Sequence, residues 1–324
     1  MARGPKVGLA LSGGAARGMA HIGVLKALEE ESIPIDMISG TSAGALAGAC
    51  YAKEMKAAIL EEIMLGLDWR KLAGLIDLNL LLLWKGFVQG QKAKSFFSSI
   101  IGDARFEDLE IPLSVVATDV QSMEEVVINK GSVVEAVRAS ISMPMIFTPV
   151  KWRGRFLIDG GAVNPMPVNV VRNMGAEIVI AVNTVGIAQK RRQRQAAKEV
   201  TNKPASYPEG SRLSTIKRRL NSPILGTKVR IFDEPSNAAK PKIYAGRGKI
   251  DPQTPNIFEV FIHVFNAMQY EKIRLATKSA DIVIEPDVSS IGMFAFHKAD
   301  EAIAQGYKAT KKILPKLQEL IRCP

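Results

Sequence analysis

Residues 35–55, IDMISGTSAGALAGACYAKEM, place a short apolar run, a glycine-bounded turn and a helix-forming stretch one after another. The run at 35–39 predicts a strand, and 45–55 is rich in residues that favour helices. Between them, Gly40-Thr41-Ser42-Ala43-Gly44 has the form Gly-x-Ser-x-Gly. Such a turn lifts its serine clear of a sheet and points backbone N–H groups at the reacting atom. The segment therefore predicts an α/β fold with Ser42 as a candidate nucleophile.

The rest of the chain repeats this strand-turn-helix order. Residues 7–11 are β-branched and aliphatic, a Gly-rich turn covers 12–18, and the apolar spacing from His21 onward is helical. Further strands are predicted at 113–118, 125–128, 155–158, 178–185 and 281–285, and further helices at 132–142, 257–279 and 298–321. Strands that alternate with helices favour a mostly parallel sheet covered on both faces. The stretch 149–158, with Arg153-Gly154 at its centre, predicts a local hairpin instead.

Composition is that of a folded protein without export signals. The chain has 324 residues, of which 47% are hydrophobic, and this is ample for a large buried core. Its two cysteines, Cys50 and Cys323, fall in no metal-binding or disulfide pattern. The apolar run near the N-terminus is broken at Ser12-Gly13-Gly14, so no signal peptide is predicted. These features favour a cytoplasmic protein, with a peripheral position on the inner face of the membrane as a further expectation.

Positive charge is concentrated in one polar segment. The net charge is +11, and residues 190–230 contain twelve basic residues against Glu199 and Glu209. The wider stretch 187–256 is rich in proline and has no sustained period, so we interpret it as a flexible insertion in one domain of 1–324. Such a segment is usually a solvated loop, and attraction to an anionic membrane surface is its better functional interpretation. Nucleic-acid binding is not expected, because Tyr207 is the only aromatic residue between 190 and 230.

A second Gly-rich turn, Ser12-Gly13-Gly14-Ala15-Ala16-Arg17-Gly18, also lies between a strand and a helix. Glycine N–H groups at a helix N-terminus can stabilise the negative charge of a tetrahedral intermediate. Arg17 could add charge or hold the loop in place. Taken alone, the loop could equally cradle a phosphate, although it has neither the Walker A pattern nor the dinucleotide G-x-G-x-x-G pattern.

Asp159-Gly160-Gly161 directly follows the strand predicted at 155–158. A serine hydroxyl needs a base that takes its proton, and an aspartate on a glycine turn can reach it if the two segments converge. Turns of the Asp-Gly kind are also common as purely structural features.

Together these residues resemble the patatin-like phospholipase family, in particular its bacterial, RssA-type members. The Gly-rich loop with Arg17-Gly18, the turn at Ser42 and Asp159-Gly160-Gly161 occur in the order found in that family. Ala139-Ser140 and the run Asn164-Pro165-Met166-Pro167-Val168 add to the likeness, which covers about 6–185 and resumes weakly over 257–320. Ala15 departs from the pattern, since many members have a third glycine at that position.

The resemblance implies a three-layer α/β/α fold and a Ser-Asp dyad without histidine. Ser42 would form an acyl-enzyme, and Asp159 would act as base and then activate water. The implied oxyanion hole consists of Gly13, Gly14 and Ala43, and the implied supporting residues are Arg17, Gly18, Gly40, Gly44, Gly160 and Gly161. No metal or cofactor is implied, and the substrates would be phospholipids, lysophospholipids or other acyl esters.

Two other functions remain open at this point. An acyltransferase would use the same acyl-enzyme and pass the acyl group to an alcohol or thiol. A non-catalytic membrane-binding regulator would keep the fold and act through the basic insertion. The joint presence of Ser42, Asp159 and the glycines favours catalysis over the regulator.

His263 and His297 are candidates for a catalytic triad, because they follow Asp159 in the order that α/β-hydrolases use. His263 is predicted on the solvent side of a helix, together with Glu259 and Asn266. The apolar face of that helix is expected to consist of Ile257, Phe261, Val264, Phe265 and Met268. His297 is expected to cap or pack at the start of the last helix, and His21 to brace the Gly-rich loop.

The leucine-rich stretch 75–85 is too short and too interrupted to span a bilayer. It is interpreted as a buried helix or as an interfacial element in which Trp84 and Lys85 lie at the depth of the head groups.

Overall fold

The computed structural model describes residues 4–54, 56–66, 90–185 and 254–322. These residues form three layers, with helices on both faces of one central sheet, as the fold prediction stated. The leucine-rich stretch 75–85 lies outside the described residues, and so does the predicted insertion up to residue 253. Among the described helices, none is both long and apolar enough to cross a lipid bilayer.

The described strands and helices follow one another in the predicted order. The strands are β1 Val7–Leu11, β2 Met37–Thr41, β3 Leu113–Asp119, β4 Glu125–Ile128, β5 Val150–Trp152, β6 Arg155–Asp159, β7 Ile178–Val182 and β8 Ile282–Ile284. The helices are α1 Ala20–Glu30, α2 Ala43–Glu54, α3 Ala57–Leu65, α4 Gln91–Ile101, α5 Val133–Ser140, α6 Val168–Asn173, α7 Ile257–Ala276 and α8 Ala299–Arg322.

The centre of the sheet is parallel and one side is antiparallel. β1 pairs in parallel with β2 and β7, β2 pairs in parallel with β3, and β7 pairs in parallel with β8. β3 pairs in antiparallel fashion with β4 and β6, and β5 with β6 forms the predicted hairpin. The carboxyl ends of β1, β2, β3 and β7 therefore meet at one edge of the sheet, called the carboxyl edge below.

The pairing of β3 places β6 end to end with β2. β2 pairs with residues 113–116 of β3, whereas β6 pairs with residues 117–119. β4 pairs with residues 115–118 of β3, a range that overlaps the partners of β2 and also those of β6. Because one side of a strand cannot pair with two strands at the same residues, β4 must lie along the opposite side of β3. β2 and β6 consequently share one side of β3 and run toward each other. The end of β6, Asp159, thus meets the end of β2 at the carboxyl edge.

Strand β1 shows how the two faces of the sheet are covered. Its side chains alternate, because successive residues of a strand point to opposite faces. Val7, Leu9 and Leu11 belong to the large core cluster that also contains buried residues of α1, α2 and α8. Ala10 belongs to a second cluster with residues of α6 and with Ile273 of α7. All four side chains of β1 are fully buried, as expected for a strand covered on both faces.

Several element boundaries differ from the sequence predictions. Gly40 and Thr41, predicted as turn, belong to β2, because they still pair with Val115 and Val116 of β3. The strand predicted at 178–185 ends at Val182. Helices α3, α4 and α6, with 9, 11 and 6 residues, were not predicted from the sequence.

The prediction for the buried face of α7 was wrong. Of its five expected core residues, Phe265 is buried and Phe261 is half-buried, while Ile257, Val264 and Met268 are exposed. The buried face carries Asn266, Gln269 and Ile273 instead. This face packs against the segment after Asp159, where the Lys272 ammonium also donates to the carbonyl of Val163 at 3.0 Å. Part of α7 therefore covers polar backbone groups of that segment and not an apolar face of the sheet.

Helices α1 and α8 pack closely through two glycines. A Cβ on Gly23 of α1 would overlap the carbonyl oxygen of Ile303, and a Cβ on Gly306 of α8 would overlap that of Ala20. Because both obstacles are backbone atoms, the helices could accept a side chain only by moving apart.

We expect Gly306→Ala to lower the free energy of unfolding by about 3 kcal/mol, since overpacking against rigid backbone usually costs about 1–3 kcal/mol or more. Urea unfolding followed by circular dichroism measures the change. Gly292→Ala is the matched control, because its nearest non-neighbouring atom would be 3.7 Å away. Equal midpoints for the two variants would contradict the close α1–α8 contact.

Candidate active site

Ser42 lies between the end of β2 and the start of α2, in a strained turn. Its φ is 53°, in the left-handed region that residues other than glycine rarely adopt. A Cβ on Gly40 would lie 2.6 Å from the carbonyl oxygen of Gly44, and a Cβ on Gly44 would overlap the backbone at Leu11. Both glycines are therefore needed for the sharp passage from strand to helix. The turn places the Ser42 side chain at the carboxyl edge.

Ser140, at the end of α5, fixes the backbone of Ser42. Its hydroxyl accepts the Ser42 N–H at 2.8 Å and donates to the carbonyl of Val116 at 2.6 Å. Ser140 is fully buried. In the sequence it appeared only as part of a family motif, and no spacing indicated that it would contact the turn at Ser42.

The side chains of Ser42 and Asp159 are hydrogen-bonded to each other. The Ser42 hydroxyl donates to Oδ2 of Asp159 at 2.7 Å, and Oδ1 of Asp159 accepts the Gly161 N–H at 2.7 Å. The backbone of Asp159 is also fixed, because its N–H donates to the carbonyl of Ser142 and its carbonyl accepts from Thr118. Gly160 fills a tight space against the carbonyl of Val116. Two residues that are 117 positions apart in the sequence are thus joined by a side-chain hydrogen bond.

The carboxyl group of Asp159 is almost completely buried, with 1% of the residue exposed. Burial penalises the charged form and raises the pKa of Asp159 to about 6. The hydrogen bonds from Ser42 and Gly161 oppose this rise, because they favour the carboxylate. A carboxylate with a pKa near 6 is a considerably stronger base than an exposed aspartate.

The Gly-rich loop follows β1 at the same edge and is tied to β7. Thr184 donates to the carbonyl of Gly13 at 2.6 Å, and its N–H donates to the hydroxyl of Ser12 at 3.0 Å. The Gly13 N–H donates to the carbonyl of Pro165 at 2.9 Å. The prediction that Gly13 donates to an oxyanion is therefore corrected, because Pro165 already takes up its N–H. Sequence reasoning missed both Thr184 and this use of Pro165.

Three other backbone N–H groups around the Gly-rich loop and the serine turn have no acceptor in the part of the chain that the structure describes. They belong to Gly14, Ala15 and Ala43. Gly14 and Ala15 have φ values of 148° and 50°. Ala15 is the residue that departs from the family pattern, and it adopts a left-handed conformation that favours glycine.

Arg17 and His21 hold the Gly-rich loop. Both side chains are buried. The Arg17 guanidinium donates to the carbonyl of Ile291 at 2.8 Å, and Nε2 of His21 lies 2.8 Å from the carbonyl oxygen of Ser12. Burial lowers the pKa of His21 to about 4, so the ring is neutral at physiological pH. The expectation that His21 braces the loop is confirmed. Gly18 packs directly against Ala43.

The other two histidines are exposed. His263 lies on the outer side of α7, and His297 lies in a short turn just before α8. The Ser42 hydroxyl donates its hydrogen bond to Asp159, and no histidine contacts it in the described part of the chain. Within the same ranges, no group of three or more His, Cys, Asp or Glu side chains is placed to hold a metal ion.

A small apolar cluster adjoins both the Gly-rich loop and the Asp159 turn. Its buried members are Met143, Ala162, Phe265 and Met293, and Ala15, Ile146, Phe261 and Ile262 pack against it. Ala15 belongs to the Gly-rich loop, and Ala162 follows Asp159 by three residues. The apolar surface therefore begins directly beside the polar pair.

Two buried amide side chains of α7 lie behind this cluster. The Gln269 amide nitrogen packs against Gly161, and Asn266 precedes it by one helical turn. Oδ1 of Asn266 is buried without a hydrogen-bond partner among the described residues. Native proteins rarely leave such an atom unpaired, and exceptions concentrate at functional sites.

Comparisons with known proteins point to one family. A family model described as patatin-like phospholipase matches residues 9–172. An NTE family protein of Mycobacterium tuberculosis is 31% identical over 328 residues, which cover 93% of this chain and 89% of that protein. The neuropathy target esterase of Drosophila melanogaster is 37% identical over 187 residues, which cover 56% of this chain. This chain spans only 13% of the length of that Drosophila protein.

Among solved structures, VipD from Legionella pneumophila is similar to this chain with a TM-score of 0.47 and 16% sequence identity. The alignment covers 97% of this chain and 67% of that chain.

Proposed function

This chain belongs to the patatin-like phospholipase family, and from that premise we propose that it hydrolyses acyl esters of lipids through Ser42 and Asp159. The observation that carries the proposal is the 2.7 Å hydrogen bond from the Ser42 hydroxyl to Oδ2 of Asp159. A serine hydroxyl is a weak nucleophile until a neighbouring base takes its proton. The same chain supplies both groups, already in contact.

In the first step, the Ser42 oxygen attacks the carbonyl carbon of the ester while its proton passes to Asp159. The alcohol of the ester then leaves with that proton, and the acyl group remains on Ser42. In the second step, Asp159 takes a proton from a water molecule as its oxygen attacks the acyl-enzyme. The bond between the acyl carbon and the Ser42 oxygen then breaks, the fatty acid is released, and Asp159 returns the proton to the Ser42 oxygen. The hydrogen bond from Gly161 keeps Oδ1 of Asp159 occupied, so Oδ2 is the oxygen that exchanges protons with Ser42.

The developing negative charge on the substrate oxygen requires donors that do not move during the reaction. We assign this role to the N–H groups of Gly14, Ala15 and Ala43, because none of them has an acceptor among the described residues. Gly13 instead fixes the loop to Pro165. Of the oxyanion hole expected from the sequence, this set retains Gly14 and Ala43 and replaces Gly13 with Ala15.

The apolar cluster around Met143, Phe265 and Met293 supports a lipid substrate. It borders the Ser42–Asp159 pair on one side, as an acyl chain next to its ester group would require. Ester hydrolysis also agrees with the name of the Drosophila relative, which is an esterase.

The proposal predicts a pH profile. Asp159 must be a carboxylate to accept the proton, and burial raises its pKa to about 6. Below this value kcat/KM should fall about tenfold per pH unit, and above it the rate should level off. Hydrolysis of a soluble ester from about pH 4 to 8 measures the profile. His263→Ala and His297→Ala should leave it unchanged, and a shift of the profile in either variant would assign the titrating group to histidine.

A panel of phospholipids, lysophospholipids and triglycerides tests the proposal as a whole. The purified protein should release fatty acid from at least one of them, and no release from any would contradict the proposal. Product analysis with an added alcohol acceptor separates hydrolysis from acyl transfer, because transfer would yield a new ester in place of free fatty acid.

A further inference from the structure

Gln269 is a buried polar side chain on the inner side of α7. Only 5% of the residue is exposed, and it lies between the buried apolar residues Phe265 and Ile273. Burying an amide costs free energy unless its polar atoms gain interactions in exchange. For packing alone, an apolar side chain of similar length would be the better choice at this position. The amide therefore points to a role that depends on its polar end.

The amide nitrogen of Gln269 lies beside the turn that carries Asp159. A Cβ on Gly161 would lie 2.3 Å from Nε2 of Gln269 and 2.9 Å from Oδ1 of Asp159. The two polar atoms thus converge on one point next to Gly161. The Gly161 N–H donates to this same Oδ1 at 2.7 Å. The end of Gln269 that lies near the carboxylate is a hydrogen-bond donor, which a negative charge attracts.

Helix α7 is attached to its surroundings on both sides of Gln269. One turn earlier, Phe265 is buried in the apolar cluster beside the candidate active site. One turn later, Ile273 is buried in the second core cluster, and the Lys272 ammonium donates to the Val163 carbonyl at 3.0 Å. The backbone of Gln269 therefore cannot move away from the turn without breaking these contacts.

We propose that Gln269 is a positioning residue for Asp159, because it holds the Gly161 N–H against Oδ1 and so keeps Oδ2 turned to Ser42. The terminal torsion of an aspartate is soft, and the hydrogen bond from Gly161 determines which oxygen meets the serine hydroxyl. Glycine is the most flexible residue of a backbone, so its N–H stays in place only when its surroundings hold it. This role rests on the proposed function, in which Asp159 is the base.

Burial and the hydrogen bonds from Ser42 and Gly161 determine the pKa of Asp159. Four charged side chains of the surrounding elements bind other groups: Arg17 the Ile291 carbonyl, Lys272 the Val163 carbonyl, Arg138 the Ser142 hydroxyl and Asp119 the Arg155 guanidinium. The buried His21 ring is neutral. The bond from Gly161 favours the carboxylate, so a weaker bond would raise the pKa of Asp159.

The test replaces Gln269 with methionine, which is also unbranched and of similar length but has no N–H group. For a soluble ester, we expect kcat/KM to fall about tenfold at pH 8, because the base is less well placed. The midpoint of the pH profile should rise by about half a pH unit or more. Gln318→Met is the matched control, since that glutamine lies on α8 and its amide donates to Glu31 at 3.4 Å. It should change neither value.

The inference is overturned if Gln269→Met keeps the wild-type midpoint, whatever its rate, because the side chain would then only fill space. If Gln269→Met does not fold, as judged by circular dichroism, Gln269→Asn takes its place. Its amide remains polar but is too short to reach Gly161, so the same shift is expected. An unchanged midpoint in Gln269→Asn would overturn the inference equally.

Thermal melting of a double-mutant cycle between positions 269 and 159 separates this inference from the proposed function. Asp159→Asn removes the buried charge, so it should raise the melting temperature at pH 7 more in the Gln269→Met background than in wild type. A protein that shows this coupling and hydrolyses no ester would refute the proposed function alone. Equal increases in the two backgrounds would show that Gln269 does not act on Asp159.

Discussion

Ser42→Ala is expected to lower the hydrolysis of a lipid ester by about 10⁴- to 10⁶-fold, because the variant has no nucleophile and loses the acyl-enzyme route entirely. The remaining rate would come from binding and from the N–H groups of Gly14, Ala15 and Ala43. The fold should be unaffected, since the methyl group of alanine fits where the serine Cβ already lies. Fatty acid release from a lysophospholipid measures the loss.

Labelling with a fluorophosphonate probe provides an independent measurement, since the probe reacts only with an activated serine. Wild type should label and Ser42→Ala should not. Ser95→Ala is the control, because Ser95 is an exposed serine of α4 whose hydroxyl donates to the backbone of Gln91. Equal labelling of Ser42→Ala and wild type would refute the role of Ser42.

Asp159→Asn should lower kcat by about 10²- to 10⁴-fold, the usual contribution of a general base. The amide can still accept the Gly161 N–H and occupy the same space, so the Ser42 turn should keep its geometry. Asparagine cannot take up the serine proton at neutral pH. A loss of activity in His263→Ala or His297→Ala, with Asp159→Asn still active, would overturn the dyad.

The same substitution should stabilise the protein at neutral pH. The pKa of Asp159 is raised from 3.8 to about 6 by burial, so the folded state binds the proton more tightly than the unfolded state. The stability of wild type therefore falls as the pH rises from about 4 to about 6 and is constant above that range. Because each pKa unit corresponds to 1.36 kcal/mol, the raised pKa of Asp159 lowers the free energy of unfolding at pH 7 by about 3 kcal/mol.

Thermal melting at several pH values tests this linkage. Asp159→Asn should melt at a higher temperature than wild type at pH 7, and the difference should vanish only below the unfolded-state pKa of 3.8, where both states of wild type are protonated. A difference that is independent of pH would show that the buried charge is not its cause. Burial of the charged Asp159 carboxylate would then not lower the free energy of unfolding of the wild type.

The fold and the two principal residues could be predicted because local signals determine them. The Gly-x-Ser-x-Gly turn, the Gly-rich loop and Asp159-Gly160-Gly161 each follow a recognisable strand. Their contact could not be derived from spacing, since it depends on how β2 and β6 share one side of β3. The family resemblance supplied that expectation.

The remaining features depend on tertiary contacts that carry no local signal. Gly13 was expected to face the substrate, but its N–H meets Pro165, which lies more than 150 residues away. Ser140 and Thr184 are ordinary small polar residues in the sequence, and only their neighbours in space give them a role. For α7, the apolar period predicted a buried strip, whereas Asn266 and Gln269 took the inner side next to the Asp159 turn. Departures from the apolar-inside pattern are expected where a protein builds a functional site.

The end-to-end placement of β2 and β6 along β3 has a consequence for folding. The elbow at Ser42 can form early, because its strand and helix are neighbours in the sequence. Asp159, its proposed base, reaches Ser42 only when a chain loop of 117 residues has closed and β6 has paired with β3. Closing such a loop costs entropy before any contact repays it, so non-local pairing of this kind is slow. Under the proposed function, recovery of ester hydrolysis during refolding would therefore report the completion of the sheet, because a chain short of that stage would have Ser42 without Asp159 beside it.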